Sequence, residues 1–330
     1  MRENSLEQAY AYCETVCRNA STTFYSSFSA LQPDKRRAVH AVYALCRWVD
    51  DIVDGDEEPT ILETPELRQA TDERQRIVDE IHAGTSPSLS AEEHRRRMMA
   101  LVDIRLKLRA ANEQRITPND HPIFVALQDV FERYPIKIND FETVIEGMED
   151  DLYPVRNQSW DELRSYCYKV ASAVGLILIE IYGYEDRAAR LHAIDLGIQM
   201  QLINVLRDIN EDMERGRIYL PMDILESHNI THEMLQSGSI ANTMAWKGFI
   251  VEYVEVIKRH QSSANQLFGY LDGRARVQPE IMADAYTSIL SEIVRRSGDV
   301  FTQPVRLSKT RKAMLGLRLS LRKLRARLFA

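Results

Sequence analysis

The helical spacing of apolar residues is the feature of this 330-residue chain that most restricts its fold. Apolar side chains recur every three or four residues almost throughout, and alternating runs rich in Thr, Val and Ile are missing. Short stretches such as "HAGTSPSLS" and "ITPNDHP" separate the periodic segments. The pattern predicts an all-α fold whose helices run for roughly 12 to 30 residues.

Composition limits the compartment and the partners. The formal net charge of -7 argues against general nucleic-acid binding. Four cysteines lack paired-ligand spacing, and "MRENSLEQAYAY" has no signal-peptide features, so we expect a reducing cytoplasm. The longest apolar run, residues 170–179, is about half as long as a membrane span and predicts a buried core helix. No linker divides the hydrophobic pattern, which predicts one domain.

A carboxylate pair follows the apolar run "HAVYALCRWV". Asp50 and Asp54 are four residues apart, so they share a helix face, with Arg47 one turn earlier. A solvated helix end with an acidic tail is the plain alternative. A calcium loop is excluded, because aligning Gly55 with the loop's glycine puts isoleucine at two ligand positions.

A second polar stripe makes the solvated-end interpretation less attractive. Its members step by three, four and four through an otherwise apolar segment: Gln201, Asn204, Asp208 and Asp212. Two buried carboxylate pairs would repel each other without a cation. Oxygen ligands without nearby His or Cys favour Mg²⁺, which proteins bind together with substrate phosphates. Three arginines in or just after the two stripes could bind those phosphates: Arg47, Arg207 and Arg217.

The segment 309–330 is basic and amphipathic. It carries eight Lys or Arg and no carboxylate, with leucines between them. Such a helix is typical of membrane-surface attachment. The alternative is a terminal helix that packs on the protein with a solvated basic face. We therefore assign residues 1–308 to one domain and 309–330 to a tail.

Four motifs together resemble the squalene/phytoene synthase family, and within it most closely the bacterial phytoene synthases. They are "STTFYSSF", "YALCRWVDDIVD", "YCYKVASAVG" and "QLINVLRDINEDMERGRIYLP". The similarity runs from about Ser21 to Ser308. The resemblance implies a class I isoprenoid synthase bundle with a central cavity and aspartate pairs on opposite walls. One departure is "SAVG", where family members commonly carry a Gly-Thr-Val-Gly-like run.

The resemblance also implies an activity. Two geranylgeranyl diphosphates would condense head to head, through prephytoene diphosphate, to phytoene in the first step of carotenoid synthesis. This Mg²⁺-dependent prenyl transfer would accept Mn²⁺ and need no NADPH. The same fold could instead make dehydrosqualene or squalene from farnesyl diphosphate. The sequence lacks the metal motifs expected for head-to-tail elongation and for terpene cyclisation. A non-catalytic assembly factor would have no reason to keep four aspartates in apolar helices.

Site residues follow from the matched motifs. The implied metal ligands are Asp50, Asp54, Asn204, Asp208 and Asp212. The aspartates and Tyr166, near the reacting carbons, form the implied catalytic set. The implied substrate contacts are Ser21, Thr23, Phe24, Tyr43, Arg47, Val170, Ala171, Gln201, Asn204, Arg207, Arg217, Tyr219 and Tyr286. A helix cap at Ser21 and core tyrosines are the plain alternatives for two parts of this set. We expect a cytoplasmic enzyme at the inner face of a membrane.

Overall fold

A computed structural model describes residues 2–20, 22–58, 60–155 and 157–328. Side chains at positions 2–4, 22–24, 325, 327 and 328 are not among those described. The described residues form helices and contain no β-strand, although Tyr184 and Leu271 form an isolated bridge. The predicted all-α class is therefore confirmed.

Residues 1–154 form the first of two compact units. Its helices are α1 (Arg2–Ala20), α2 (Thr22–Phe28), α3 (Pro33–Asp54), α4 (Pro65–Ile81), α5 (Ala91–Asn112), α6 (Pro122–Arg133) and α7 (Ile138–Asp150). Helix α3 packs on α1 and α6, and α5 packs on α4, α6 and α7. Trp48 of α3 stacks on His121, with ring centroids 4.4 Å apart. This packing buries one side of α3 and leaves its last turn partly exposed.

Residues 155–330 form the second unit. Its α-helices are α8 (Trp160–Cys167), α9 (Ala173–Tyr182), α10 (Ala189–Arg207), α11 (Ile209–Glu214), α12 (Met222–Ser227), α13 (His232–Gln236), α14 (Met244–Ala264), α15 (Val277–Arg295) and α16 (Lys309–Leu328). Helix α10 packs on α8, α9, α14 and α15, so it is the centre of this unit. The assignment of residues 1–308 to one domain stays a prediction.

Local sequence signals explain where many of these helices begin. Pro33 occupies the first turn of α3, and Pro65 follows the capping Thr64 of α4. The hydroxyls of Ser90, Ser159 and Thr243 accept hydrogen bonds from backbone N–H groups at the starts of α5, α8 and α14. These caps satisfy donors that a helix start leaves without an intrahelical partner.

A π-helical segment, Tyr168–Ser172, joins α8 to α9. Its Ser172 hydroxyl donates to the Ile194 carbonyl at 2.7 Å. A Cβ on Gly197 would lie 2.6 Å from the Ser172 Cα, so glycine allows this backbone to approach α10. The departure from the family motif at Ser172 thus lies in a tight helix contact.

Among the described residues, one helical stretch, Trp160–Tyr182, is long enough and apolar enough to cross a membrane by length and composition alone. Half of its most apolar window is buried inside the protein. A core helix satisfies the same criteria of length and composition, and this helix packs on α10. The burial agrees with the core helix predicted from residues 170–179.

Helix α16 packs along α15. Arg318 lies 3.2 Å from Asp284, and Arg322 lies 3.3 Å from Glu280. Arg311 donates to the Ser288 carbonyl at 2.7 Å. The tail therefore contacts the protein through arginines, whereas the packed alternative placed its basic face in solvent.

Candidate active site

The last turn of α3 gathers carboxylates around one arginine. The Arg47 Nη1 lies 3.1 Å from the Asp50 Oδ2, and its Nη2 contacts Asp51. Asp56 lies further away, at 3.9 Å. Burial opposes the Arg47 charge, but Asp51 and Asp50 outweigh it and raise the pKa of the guanidinium. Arg47, expected as a diphosphate contact, thus lies among the carboxylates of this turn, and its role toward substrate stays a prediction.

Asp51 is a member of this cluster that the spacing argument missed. Burial raises the pKa of its carboxyl, against the opposing effect of Arg47. The signal was available, because Asp51 follows Asp50 directly and lies four residues after Arg47. Asp50 is 41% exposed, whereas Asp51 is 21% exposed, so the two neighbours differ in access to a ligand.

Tyr43 lies one turn before Arg47 on the same helix. It is half-buried, and burial raises the pKa of its phenol to about 12. The phenol therefore stays protonated at neutral pH and can donate a hydrogen bond. This agrees with its expected role as a substrate contact.

A second arginine fixes the end of α3 from another helix. The Arg97 Nη1 donates to the Val53 carbonyl, and its Nε donates to Glu93 at 2.7 Å. Gly55 ends α3 with a φ of 82°, and a Cβ there would lie 2.6 Å from the Arg97 Nη2. Arg97 thus satisfies a C-terminal carbonyl next to Asp54. No spacing rule within α3 could have identified it.

The stripe predicted from Gln201 to Asp212 runs along two helices. The chain leaves regular α-geometry at Asp208, whose φ is -103° and ψ is 13°. The Asp212 N–H still donates to the Asp208 carbonyl at 2.9 Å, so the one-turn spacing is kept. The predicted single helix is therefore interrupted at the first aspartate of the pair, where its side chain turns to Arg207.

Arg207 and Asp208 form a two-point ion pair. The Arg207 Nε donates to the Asp208 Oδ1 at 2.7 Å, and its Nη2 donates to the Oδ2. Burial opposes the charge of Arg207, but Asp208 outweighs it and raises the pKa of the guanidinium. One predicted metal ligand is thus already bound by one predicted diphosphate contact.

Asn204 and Tyr286 extend this cluster. Burial raises the pKa of the Tyr286 phenol, while the nearby Arg207 and Asn204 oppose the shift. The Asn204 Nδ2 donates to the Gln201 Oε1 at 3.1 Å. Contacts therefore unite Gln201, Asn204, Arg207, Asp208 and Tyr286. Only the family resemblance, at "ADAYTSIL", suggested Tyr286, which is 78 residues from Asp208 in sequence.

Two more predicted residues of this unit, Arg217 and Tyr219, lie in the segment after α11. The Arg217 N–H donates to the Asp212 carbonyl at 2.8 Å, and the Arg217 side chain is largely buried. Tyr219 stacks on Tyr166, with ring centroids 4.6 Å apart and planes 24° apart. Both rings are buried, so this geometry also fits the plain alternative of core tyrosines.

Predicted substrate contacts elsewhere have mixed outcomes. Val170 and Ala171 lie in the π-helical segment, and both are half-buried. Ser21 lies outside the described residues, as do the side chains of Thr23 and Phe24. Their expected roles stay predictions.

The donor set suits a hard cation that keeps outside ligands. The carboxylate and amide groups supply oxygen, and the buried Asn204 Oδ1 has no hydrogen-bond partner among the described residues. Within the same part of the chain, no three His, Cys, Asp or Glu side chains converge to hold a metal by themselves. Mg²⁺ fits this arrangement, because proteins commonly bind it through one or two carboxylates while water and phosphate complete its shell.

Solved structures define the class to which this fold belongs. A dehydrosqualene synthase crystal structure matches with a TM-score of 0.76 at 24% identity, over 100% of both chains. A squalene synthase from Alicyclobacillus acidocaldarius matches with a TM-score of 0.71 at 22% identity, over 90% of this chain and 98% of that one. The fold is thus that of an all-α isoprenoid synthase, as predicted.

The family model for squalene/phytoene synthase matches residues 17–311, and the chain belongs to this family. Phytoene synthase 2 of Solanum lycopersicum is 31% identical over 94% of this chain and 89% of the relative. A 15-cis-phytoene synthase of Synechocystis is 31% identical over 91% of this chain and 80% of the relative. The predicted family and the predicted class, a prenyltransferase enzyme, are confirmed.

Proposed function

We propose that this chain condenses two geranylgeranyl diphosphates head to head to phytoene, the first step of carotenoid synthesis. Support comes from its family and from relatives named phytoene synthase that match most of its length. The chemistry agrees, because both units hold aspartate next to arginine, which suits the departure of a diphosphate. The observation that carries the proposal is the cluster of Asn204, Arg207, Asp208 and Tyr286.

Mg²⁺, with Mn²⁺ as a substitute, is the cation that these residues would hold. Asp50 and Asp54 would bind it in the first unit, and Asn204, Asp208 and Asp212 would bind it in the second. The ion would supply Lewis-acid stabilisation of the leaving diphosphate. The oxygen donors and the open Asn204 Oδ1 support this assignment.

The arginines would bind the rest of the diphosphate charge. Arg47 and Arg207 each contact an aspartate, but a guanidinium has five donors and can bind a phosphate oxygen as well. Arg217 would contribute from its buried position beside Asp212. The protonated phenol of Tyr286 would donate to a diphosphate oxygen.

The hydrocarbon part of the reaction needs dry surroundings. Ionisation of one substrate would leave an allylic cation, which the 2,3-alkene of the other attacks, and proton loss would give prephytoene diphosphate. A second ionisation, rearrangement to a 1-1′ bond and another proton loss would give phytoene without NADPH. The stacked rings of Tyr166 and Tyr219 would stabilise positive charge through their π faces.

We also propose a cytoplasmic enzyme that works at the inner face of a membrane. The basic segment 309–330 supports this location, since anionic lipid attracts such a segment. The expected product supports it too, because a long hydrocarbon is insoluble in water and must pass into a bilayer.

Incubation of the purified protein and Mg²⁺ with each prenyl diphosphate tests the proposal. Geranylgeranyl and farnesyl diphosphate are supplied separately, with and without NADPH, and the extracted hydrocarbons are separated by chromatography. We expect a forty-carbon product with a conjugated triene from the longer substrate alone. A thirty-carbon product alone would move the assignment to dehydrosqualene or squalene synthase, according to its need for NADPH.

The assembly-factor alternative is tested by Asp50→Ala and Asp208→Ala. The proposed activity requires both carboxylates, so we expect each variant to lose hydrocarbon formation. Full activity in either variant would contradict the assigned site. If the unaltered protein formed no hydrocarbon, the assembly-factor hypothesis would be favoured instead.

A further inference from the structure

The outer side of α16 is apolar where a surface helix is normally charged. Met314, Leu317, Leu321 and Leu324 are between 51% and 60% exposed. They recur at spacings of three and four residues, so they form one strip, which we call the apolar edge. A helix on a soluble protein usually turns such a strip toward the core.

The opposite side of α16 is held by charges. Arg318 and Arg322 contact Asp284, which belongs to α15, and Arg311 reaches Glu292 on the same helix. Leu315 is the buried apolar residue of this contact. The arginines thus attach the helix to the protein, and this attachment orients the apolar edge outward.

The first turn of α16 carries exposed cations as well. Lys309 and Lys312 are both exposed there, and no carboxylate lies on this helix. A cavity of about 160 Å³ adjoins Met314 and is lined by Arg311, Arg318, Ser288, Ser291 and Leu315 as well. Cations and hydroxyls beside exposed leucines match the boundary between lipid headgroups and acyl chains.

We propose that the apolar edge is a preformed surface that binds anionic phospholipid membranes while α16 stays docked on α15. The proposal rests on the membrane location given above and names the residues and the lipid class. Leucine side chains would enter the acyl boundary, and the long side chains of Lys309 and Lys312 would reach the phosphates from the first turn of the helix.

Helix α15 connects this surface to the proposed site. Tyr286 joins the cluster of Asn204 and Arg207, whereas Asp284 of the same helix contacts α16. Only one helix, about 10 Å in diameter, therefore lies between the diphosphate cluster and the membrane-binding helix. The geometry shortens the route by which an apolar product reaches lipid.

Sedimentation with lipid vesicles tests this surface. The full protein is mixed with vesicles of phosphatidylcholine alone or with about one third phosphatidylglycerol, and the bound fraction is measured. The edge variant carries Leu317→Ser, Leu321→Ser and Leu324→Ser. The matched control carries Leu191→Ser, Met244→Ser and Val251→Ser, which remove apolar side chains that are at least as exposed from other helices of the same unit.

We expect the unaltered protein and the control to bind the anionic vesicles, and the edge variant to bind them about tenfold more weakly or less. Binding should also fall several-fold in 0.5 M salt, because the attraction to anionic lipid is screened. Equal binding by the edge variant would overturn the proposal. Equal binding to neutral vesicles would overturn its charged part.

Two further measurements separate the possible failures. Hydrogen exchange without vesicles should show protected α16 amides, and free exchange there would contradict the docked state. Hydrocarbon formation in detergent should be the same in all three proteins. A failure to make phytoene would contradict the proposed activity, whereas unchanged vesicle binding with full activity would contradict only the proposed surface.

Discussion

The two aspartate clusters, at the ends of α3 and α10, differ in how the protein balances their negative charge. At the end of α3, Arg47 serves both Asp50 and Asp51, and Asp50 remains open to a ligand. At the end of α10, Arg207 binds both oxygens of Asp208. The first cluster has an excess of negative charge and the second is closer to neutral. We infer that the first depends on an added cation, whereas the second is already stabilised within the protein.

Asp208→Asn should have the largest effect, because it would damage both activity and stability. The substitution leaves the guanidinium of Arg207 without its two-point partner. Because this pair is only half-buried, the loss should cost about 2 kcal/mol of the free energy of unfolding. Activity should fall about a hundredfold or more. Hydrocarbon assays and denaturant unfolding measure the two effects.

Glu214→Gln is the matched control for Asp208→Asn. Glu214 is an exposed carboxylate of α11, so this variant should keep both properties. A stable and fully active Asp208→Asn protein would show that the second cluster needs neither the Asp208 charge nor its ion pair with Arg207.

Asp50→Asn should separate activity from stability. Asp50 is 41% exposed and Arg47 retains Asp51, so the free energy of unfolding should change by less than about 1 kcal/mol. Activity should still fall about a hundredfold, since the ligand-accessible carboxylate is lost. Asp56→Asn in the following loop is the control and should remain active. A large loss of stability in Asp50→Asn would mean that the first cluster, like the second, is stabilised by its internal ion pairs.

Acid should weaken the first cluster's helix through His40. Burial lowers the pKa of this imidazole to about 4, while Glu14 opposes the shift and Arg36 and Arg18 add to it. The unfolded chain therefore binds the proton more tightly than the folded one between pH 6.5 and about 4. Stability is lost as pH falls through that window, by at most about 3 kcal/mol.

His40→Phe should reduce this acid sensitivity, because phenylalanine can keep the ring contacts with Tyr25 and Phe28 without a proton site. Hydrogen exchange of α3 and α10 amides at pH 4.5 and 7 measures the effect in each unit. We expect the variant to flatten the pH dependence of α3 and to leave α10 unchanged. An equal pH dependence of α3 in both proteins would exclude His40 as the cause.

Substitutions at two glycines should have the smallest effects. Gly55 and Gly216 each follow a helix that carries the aspartates, and each has a positive φ. Gly55 has a φ of 82° and Gly216 one of 76°, but a Cβ at Gly216 would meet no described atom within 4 Å. Gly216→Ala should cost about 1 kcal/mol for the left-handed backbone alone. Gly55→Ala should cost more, since the methyl group also displaces Arg97 from the Val53 carbonyl. Equal losses in thermal unfolding would show that Arg97 does not support the end of α3.

Local spacing predicted much of this arrangement and missed what comes from other helices. The intervals between Asp50 and Asp54, and from Gln201 to Asp212, follow from helical periodicity, although the second stripe is interrupted at Asp208. Arg97 reaches Val53 from 44 residues away, so nothing within α3 could indicate it. The orientation of α16 also depends on Asp284 and Glu280 of α15, and the order of residues 309–330 allowed either face to point inward.

The π-helical segment changes the angular phase of the helix that carries Tyr166. In an uninterrupted α-helix, the twelve residues from Tyr166 to Leu178 would place their side chains about 120° apart around the axis. One extra residue taken up by the π turn reduces that angle to about 20°. Tyr166, Val170, Val174 and Leu178 thereby line up along about 18 Å of one face, and the last three are half-buried. A single inserted residue thus aligns these side chains in a row along one helix face, and the row is long enough to contact an extended prenyl chain.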